Sequence, residues 1–188
     1  MPPRAKFTKE EIILAALSIV RTDGMPALTA RALGAKLSSS ARPIFTVFQS
    51  MEEVQQSVLA SAKAQYKGYV EKGLSEPIAF KGVGEQYILF AVEEPKLFQL
   101  LFMTERSSAP AFDSILPMID ESYDKILLSI IDHYDIKRGD AERLYRHLWV
   151  YTHGIAALCA TKVCCFTGDE ISKMLTEVFV NLLEKIKG

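Results

Sequence analysis

Hydrophobic residues recur along most of this chain at intervals of three or four positions, which is the spacing of an amphipathic α-helix. Signals for strands are scarce. No clear run of alternating polar and apolar residues stands out, and no Asn-Gly or Asp-Gly pair joins two such runs into a hairpin. The pattern therefore predicts an all-α protein of about nine helices.

The first three predicted helices lie within the first 50 residues. The first begins at Thr8, where Glu11 three positions later completes a capping-box pattern, and it ends at Asp23 before a glycine. The second follows Thr29, which is a suitable N-cap. The third begins at Ala41 after a serine-rich break, and its early proline is tolerated because first-turn N–H groups have no partner within the helix.

Six further helices follow, and most of them are longer. Proline and glycine residues mark several of the breaks between them. Pro117 lies near the start of the seventh helix or kinks it. The six helices are expected at about residues 51–71, 78–93, 95–103, 112–134, 140–166 and 168–187.

The composition is that of an ordinary soluble globular protein, with 49% hydrophobic and 24% charged residues among 188. The first eleven residues are polar and charged, unlike a secretory signal. No window reaches the roughly 18 consecutive apolar residues of a membrane span. The three cysteines are too few and too clustered for a disulfide framework. We therefore expect a cytoplasmic protein that does not enter a membrane.

The net charge of −1 hides an asymmetry along the chain. Residues 1–48 contain seven basic and three acidic side chains, a net charge of +4, so the remainder carries −5. A basic segment on an acidic body is what a small nucleic-acid-binding head would look like, although many neutral proteins have such local imbalances.

Helices two and three form a candidate helix-turn-helix, in which the second helix enters the major groove of DNA. Leu33, Leu37 and Ile44 are expected to form the shared core, and Ala32 is small where the helices would cross. The outward face offers polar side chains suited to phosphates and base edges. The alternative is a short helical hairpin inside a larger bundle. The predicted DNA-binding residues are Thr29, Arg31, Ser39, Ser40, Arg42, Phe45 and Thr46.

Several short motifs extend this interpretation. They are Ile-Ile-Leu-Ala-Ala at residues 12–16, Leu-Thr-Ala-Arg-Ala-Leu at 28–33, Ile-Phe-x-x-Phe at 44–48, Ser-Met-Glu-Glu-Val at 50–54, Phe-Ala ahead of Pro-Lys-Leu-Phe at 90–98, and Trp-x-x-x-His-Gly at 149–154. On these motifs the chain resembles the tetracycline-repressor-like (TetR) family. The match is strongest over about residues 7–59, and the last motif is similar to a Trp…His-Gly signature of one ligand-domain subgroup.

The resemblance implies a helix-turn-helix DNA-binding domain over residues 1–50 and a ligand-binding and dimerisation domain over residues 51–188. It also implies a transcriptional regulator, by default a repressor, that leaves a palindromic operator when a small molecule binds. The expected partners are double-stranded operator DNA, a small-molecule effector and a second copy of the chain. No cofactor is expected.

Three positions depart from the family pattern. Ser38 stands where the turn usually has glycine, Phe45 where a phosphate-bonding tyrosine is common, and Met51 where a lysine commonly meets the DNA backbone. Each neutralised phosphate adds roughly 0.9 to the slope of affinity against salt. Losing these contacts should therefore weaken DNA binding and flatten its salt dependence.

The last two predicted helices are apolar over wide faces, as helices in a core or an interface are. The resemblance implies that they pair with their symmetry mates as a four-helix bundle. The alternative is that both line the core of the monomer. The residues predicted at the dimer interface are Leu144, Tyr151, Ile155, Met174, Val178, Phe179 and Leu182.

Aromatic residues are concentrated where a ligand pocket is expected in the second domain, although aromatic residues at helical spacing are usually ordinary core. Met103 could adapt the pocket to the shape of a guest. Tyr123 and His153 could supply the few polar groups that orient it, although His153 could equally be a core histidine. The predicted residues around a cavity for an apolar or aromatic ligand are Phe90, Phe102, Met103, Tyr123, Trp149 and His153.

Cys159, Cys164 and Cys165 suggest a redox sensor as another possibility. A neighbouring cysteine pair does not close a disulfide easily within a helix, and Lys162 is the one nearby cation that could depress a thiol pKa. Buried or half-buried structural thiols are therefore expected. The three histidines do not share a helical face, so no metal site is expected.

Two other classes of function compete with the regulator. An enzyme would need a motif such as a Gly-rich phosphate loop, a nucleophile elbow or a histidine with a carboxylate partner at a useful spacing, and none is evident. A helical dimeric adaptor or sensor that has lost operator binding is the second competitor. The expectation is that the protein is not an enzyme, and an absence of salt-dependent DNA affinity would favour the adaptor.

Overall fold

The computed structural model describes residues 6–188, which form nine α-helices and no strand within that range. The helices are α1 Lys9–Asp23, α2 Ala30–Lys36, α3 Met51–Leu74, α4 Ala79–Glu93, α5 Pro95–Phe102, α6 Ile115–Ile119, α7 Tyr123–Tyr134, α8 Arg138–Ala160 and α9 Gly168–Lys187. The all-α prediction is confirmed. The nine helices are not the nine that the sequence pattern predicted, because one predicted helix is a single 3₁₀ turn and another is split.

The chain divides into two compact units. The first unit comprises the described residues up to Gln65 together with Lys96–Thr104. The second unit comprises Tyr66–Pro95 and Glu105–Gly188. The helix α3 contributes residues to both, because the division falls between Gln65 and Tyr66.

Side-chain caps fix the starts of the helices in the first unit. At the start of α1, the Glu11 backbone N–H donates to Thr8 Oγ1 at 3.2 Å, and the Thr8 backbone N–H donates to Glu11 Oε2 at 2.8 Å. The capping box predicted here is thus confirmed. Thr29 caps α2 by accepting a hydrogen bond from the Ala32 backbone N–H at 3.1 Å.

The third helix predicted from Ala41 is wrong as an α-helix. The structure has a single 3₁₀ turn at Ile44–Thr46, in which the Ile44 N–H donates to the Ala41 carbonyl and the Val47 N–H to the Ile44 carbonyl. The physical reason is length and composition. The segment between the serine-rich break and the start of α3 is too short to repay helix nucleation, and three of its residues are β-branched.

The second unit contains a close contact between two backbones. An added Cβ atom at Gly73 of α3 would lie 2.6 Å from the Val83 nitrogen of α4, and one at Gly82 would lie 2.5 Å from the Gly73 carbonyl oxygen. Both distances are shorter than side-chain atoms tolerate. Glycine at these two positions therefore allows α3 and α4 to approach each other.

The seventh predicted helix, over residues 112–134, is interrupted. A 3₁₀ turn at Phe112–Ser114 and the short α6 precede α7, and the break falls at Asp120. The buried Asp120 carboxylate accepts hydrogen bonds from the Ser122 backbone N–H at 2.8 Å and from the Tyr66 hydroxyl at 2.9 Å. This carboxylate binds the backbone locally and so competes with a continuous helix.

The eighth predicted helix ends earlier than expected, at Ala160 instead of near Phe166. Lys162 adopts a left-handed conformation with φ of 58°, and the Val163 N–H returns to the Leu158 carbonyl at 3.0 Å. This is a C-terminal capping arrangement. Because Cys164 and Cys165 lie beyond it, they are exposed, and the expectation of burial is wrong for these two thiols.

The helix α9 begins where the sequence predicted. Thr167 is its N-cap, and its hydroxyl oxygen accepts from the Glu170 backbone N–H at 3.3 Å in a second capping box. The Glu170 carboxylate also accepts from the Thr167 backbone N–H, which lowers the pKa of Glu170.

Among the described residues, no helix is long and apolar enough to cross a membrane. Across residues 6–188, no group of three or more metal-binding side chains is arranged to hold an ion.

The close contact of α3 with α4 predicts opposite effects for two glycine substitutions on the same helix. Gly73→Ala should destabilise the protein by about 1–3 kcal/mol, since its methyl group would overlap the α4 backbone. Gly68→Ala should stabilise it by up to about 1 kcal/mol, because nothing lies near that position and alanine favours the helix. Urea denaturation of both variants measures these changes. Equal effects would contradict the contact.

The buried carboxyl of Asp120 predicts a pH effect on stability. Burial raises its pKa, so the protonated form favours the fold below the unfolded-state pKa near 4, and this contribution is lost as pH rises through the folded-state value. Asp120→Asn should therefore gain stability relative to the wild type as pH rises from 4 to 7, by about 1.4 kcal/mol for each unit by which the pKa is raised. Urea denaturation across this range measures the trend.

The control for this experiment is Asp132→Asn, which changes an exposed aspartate on α7. It should show no such trend. A similar trend in both variants would contradict the assignment to Asp120.

Candidate functional site

Two features of the structure could carry function, one in each unit. The first is the candidate helix-turn-helix at residues 29–48. Of the seven residues predicted to contact DNA, Ser39 is half-buried and the other six are exposed, namely Thr29, Arg31, Ser40, Arg42, Phe45 and Thr46. Phe45 exposes 46% of its surface, which is a large exposed apolar ring on an otherwise polar face.

The turn of this motif depends on a left-handed residue and on a glycine. Ser38 has a φ of 50°, the conformation for which glycine is the usual choice, and the Ser39 N–H donates to the Gly34 carbonyl at 2.9 Å. A Cβ atom at Gly34 would lie 3.0 Å from the Ala41 nitrogen. Gly34 is thus the small residue that allows the chain after the turn to pack closely on α2. This role was predicted for Ala32.

The polar groups of this face divide into those with partners and those without. The Thr46 hydroxyl donates to the Pro43 carbonyl at 2.6 Å, and Lys6 Nζ donates to Ser39 Oγ at 3.1 Å. Within residues 6–188, neither Arg31 nor Arg42 has an ion-pair or hydrogen-bond partner. Two guanidinium groups are therefore available to bind an anion such as a phosphate.

The second feature is a cavity of about 280 Å³ in the second unit, just below the roughly 300–1,000 Å³ typical of ligand pockets. Its walls come from α4, α8, α9 and the ends of α3 and α7, and they are mostly apolar. The aromatic side chains in the walls are Tyr66, Phe80, Tyr87, Tyr134, Tyr145, Trp149 and Phe179. Such a lining suits a flat, largely apolar molecule.

A polar network lies against one side of this cavity. His153 stacks on Trp149 with ring centroids 5.2 Å apart, and its Nδ1 atom lies 2.9 Å from the Tyr87 hydroxyl. Burial lowers the pKa of His153, which favours the neutral ring, so the Tyr87 hydroxyl can donate to Nδ1. Burial also raises the pKa of Tyr87, and hydrogen bonding to Trp149 opposes this rise.

Burial has the same effect on two other tyrosines of the cavity. It raises the pKa of Tyr66 and of Tyr145, and the negative field of Asp120 raises both further. Tyr66 also donates its hydroxyl to Asp120, as described above. These phenols therefore remain protonated hydrogen-bond donors at neutral pH.

Among the six residues predicted to bind ligand, Trp149 lines the cavity. His153 contacts two wall residues, and Tyr123 stacks on Tyr145 at 5.7 Å. Phe90 is fully buried beside Tyr66, and Phe102 and Met103 belong to the first unit, whereas the walls of the cavity come from the second. The structure therefore does not gather the six residues around this one cavity.

Sequence reasoning missed several wall residues. Tyr66 shares a face of α3 with the buried Ala62 and Val70, which marks it as inward-facing. Phe80 follows the Pro77 break and could have been recognised in the same way. Phe179 was predicted to lie at the dimer interface, although it lines the cavity.

The residues predicted at the dimer interface fall into two groups. Leu144 is fully buried and Ile155 is 4% exposed within a single chain, so both pack inside the monomer. Tyr151, Met174, Val178, Phe179 and Leu182 are half-buried. Exposed apolar residues that the prediction omitted lie on the same helices, namely Val150, Leu158 and Val180.

A comparison with known proteins bears on both features. The family model described as tetracyclin repressor-like, C-terminal domain matches residues 80–177, which is just over half of the chain and includes most of the cavity. No curated protein matches the chain. The chain belongs to the tetracyclin repressor-like family, a family of ligand-responsive transcriptional regulators.

Proposed function

We propose that this protein is a transcriptional repressor that binds a palindromic DNA operator as a homodimer and leaves it when a small apolar or aromatic ligand binds. The observation that carries the proposal is the aromatic cavity, most of whose wall lies in the region matched by the family model. An apolar, aromatic lining of this kind is typical of small-molecule sites.

DNA binding is proposed for the first unit. The exposed Arg31 and Arg42 have no partners in the described part of the chain, and the residues around them are small or polar. Cations at such positions bind phosphates, whereas the polar groups beside them can read base edges. The proposed contacts are those of Thr29, Arg31, Ser39, Ser40, Arg42, Phe45 and Thr46.

Dimerisation is proposed through α8 and α9. These helices carry exposed Val150, Leu158 and Val180, together with half-buried apolar residues that include Tyr151 and Val178. Pairing with a second copy would cover this surface as a four-helix bundle. A two-fold dimer would read two half-sites about 34–36 Å apart, which requires a palindromic operator.

Induction is proposed to act through α3. This helix begins at Met51, just after the helix-turn-helix, and it carries Tyr66 in the cavity wall. A ligand that displaces Tyr66 would move the helix and change the spacing of the two recognition elements. Ligand and operator would then weaken each other's binding by the same factor, as linkage requires. Independent binding of the two would contradict this mechanism.

The subgroup signature of Trp149 and His153-Gly154 is part of the proposal. The stacked pair of Trp149 and His153 lies beside the cavity, where it can orient an aromatic guest. Non-enzymatic function and a cytoplasmic location are proposed on the same family grounds.

The competing proposal is a dimeric adaptor or sensor that has lost operator binding. It is favoured by the single 3₁₀ turn in place of a recognition helix and by the exposed Phe45. Selection of bound sequences from a random duplex library at moderate salt distinguishes the two. A palindrome that is bound more weakly as salt rises would support the repressor, and no enrichment with a dimeric protein would support the adaptor.

Removal of one arginine should weaken operator binding without affecting the fold. Arg42→Ala is expected to lower affinity about tenfold and to reduce the salt slope by about 1, because one phosphate contact is lost. Fluorescence anisotropy of the selected duplex at several salt concentrations measures both quantities. Arg106→Ala, which removes an exposed arginine in the second unit, is the control. Unchanged binding by Arg42→Ala would remove this residue from the proposed contacts.

A larger side chain in the cavity should weaken ligand binding. Gly84 lies in the wall, and a Cβ atom there would make an ordinary 3.5 Å contact with Leu175, so Gly84→Ala should bind normally. Gly84→Leu projects a larger group into the cavity and should weaken binding of the neutral dye N-phenyl-1-naphthylamine by about tenfold or more. Quenching of Trp149, which is the one tryptophan of the chain, measures binding. Equal affinities in the two variants would contradict this site.

A further inference from the structure

Among the buried residues of the cavity wall, two have a hydroxyl group without a hydrogen-bond partner. Tyr145 and Thr152 both line the cavity, and they are 5% and 6% exposed. Across residues 6–188, neither hydroxyl donates or accepts a hydrogen bond. A polar group that is buried without a partner costs free energy, which a bound ligand can recover.

Thr152 differs in this respect from other threonines in helices. The hydroxyls of Thr22 and Thr176 each donate to the carbonyl four residues earlier, at 3.1 and 2.7 Å. This is the usual arrangement for threonine in a helix. Thr152 makes no such bond in the described chain, so its hydroxyl is left for another partner in the cavity.

Both residues line the cavity, and neither hydroxyl oxygen is fully sealed, in contrast to the Gln86 side-chain oxygen, which is sealed in the described interior without a partner. On this basis we take the two hydroxyls to be within reach of a molecule in the cavity. Burial raises the pKa of Tyr145, so its hydroxyl remains a donor at neutral pH.

The two groups lie on one face of α8. They are seven residues apart, which is two helical turns and roughly 10 Å along the axis. The long side chain of a helical tyrosine leans toward the helix N-terminus, away from Thr152. One oxygen atom of a ligand is therefore not expected to reach both hydroxyls, and two separate oxygens are needed.

The charges near the cavity disfavour a charged ligand. The wall contains no aspartate or glutamate, so a cation would lack a counter-charge there. Lys81 also lines the cavity, but its Nζ atom lies 3.8 Å from Glu85 Oε1. The buried Asp120 behind Tyr66 would repel an anion. Burial of an unpaired charge is costly, so an uncharged molecule fits best.

We infer that the ligand of this cavity is an uncharged aromatic molecule with a hydrogen-bonding oxygen at each end, one bound by Tyr145 and the other by Thr152. The inference rests on the proposed ligand-sensing function and names the chemical class of its ligand. The apolar and aromatic walls hold the ring, and the two hydroxyls select against molecules that lack either oxygen.

The test uses 4-hydroxyacetophenone and analogues of the same size. In 4-methylacetophenone a methyl group replaces the hydroxyl, and in 4-isopropylphenol an isopropyl group replaces the acetyl. Titration of the full-length protein, followed by the fluorescence of Trp149, gives each affinity. The wild type should bind 4-hydroxyacetophenone about tenfold more tightly than either analogue, because each analogue loses one hydrogen bond. Equal affinities for the three compounds would overturn the inference.

Two conservative variants assign the oxygens. In Tyr145→Phe, one of the two analogues should bind as tightly as 4-hydroxyacetophenone, because the hydroxyl that recognised its missing oxygen is gone. In Thr152→Val, the other analogue should do so. Loss of the same preference in both variants, or of neither, would overturn the assignment. The matched controls are Tyr69→Phe and Thr161→Val, whose hydroxyls bond to Glu93 and to the Ala157 carbonyl outside the cavity wall. Both controls should bind like the wild type.

Two further compounds complete the design. 4-Hydroxybenzoate, an anion of similar size, should bind at least about tenfold more weakly than 4-hydroxyacetophenone, and equal or tighter binding would overturn the uncharged class. If 4-isopropyltoluene, which lacks both oxygens, binds as tightly as 4-hydroxyacetophenone, the inference fails but the ligand cavity stands. If no compound binds at millimolar concentration, both this inference and the proposed ligand site fail.

Discussion

Packing of α4 against α8 is the most extensive contact between helices in the described part of the chain, and α4 also approaches α3 closely at Gly73 and Gly82. Two helices can approach to this distance only where side chains are absent, and here each glycine faces the backbone of the other helix. The contact fixes the side of α4 that faces inward, which carries Val83 and Tyr87. The same contact holds the last part of α3, so that Tyr66 borders the same space. The close contact thus lies at the cavity wall itself, because the backbone it involves is that of the wall residue Val83.

The interior near the cavity combines apolar packing with a small number of buried polar groups. Tyr66 with Asp120 and Tyr87 with His153 each form a hydrogen bond between side chains, which offsets the cost of their burial. Tyr145 and Thr152, by contrast, have hydroxyl groups without a hydrogen-bond partner in the described part of the chain. The contrast matters because two neighbouring tyrosines of the same wall do have partners. It makes these two hydroxyls the natural points of recognition for a guest molecule.

The sequence predicted helix ends well where the capping hydrogen bonds join residues close together in the chain. The capping box at Thr8 and the caps at Thr29 and Gly24 involve residues within four positions, so the sequence reveals them directly. The break at Asp120 could not be predicted in this way, because half of its hydrogen bonding comes from Tyr66, 54 positions earlier. The 3₁₀ turn at residue 44 also escaped prediction, since its apolar spacing fits an α-helix as well.

The candidate sites follow the same division. Exposure of Arg31 and Arg42 follows from the polar face of a short amphipathic motif, which is local information. The cavity wall depends on which faces of α4, α8 and α9 meet, and this is fixed by contacts between residues far apart in the chain. For this reason Phe80 was omitted from the predicted ligand site and Phe179 was assigned to the dimer interface, although both line the cavity together with Trp149.

The helix α9 contributes Leu175 and Phe179 to the cavity, and its neighbouring positions Met174, Val178 and Leu182 are the half-buried residues proposed to meet a second copy. On this arrangement, a substitution in α9 is subject to two kinds of selection. A change that adapts the cavity to a new molecule also alters the surface beside it, and a change that adjusts pairing alters the wall. The recognition of small molecules and the choice of partner would therefore evolve together in this lineage, each constraining the other.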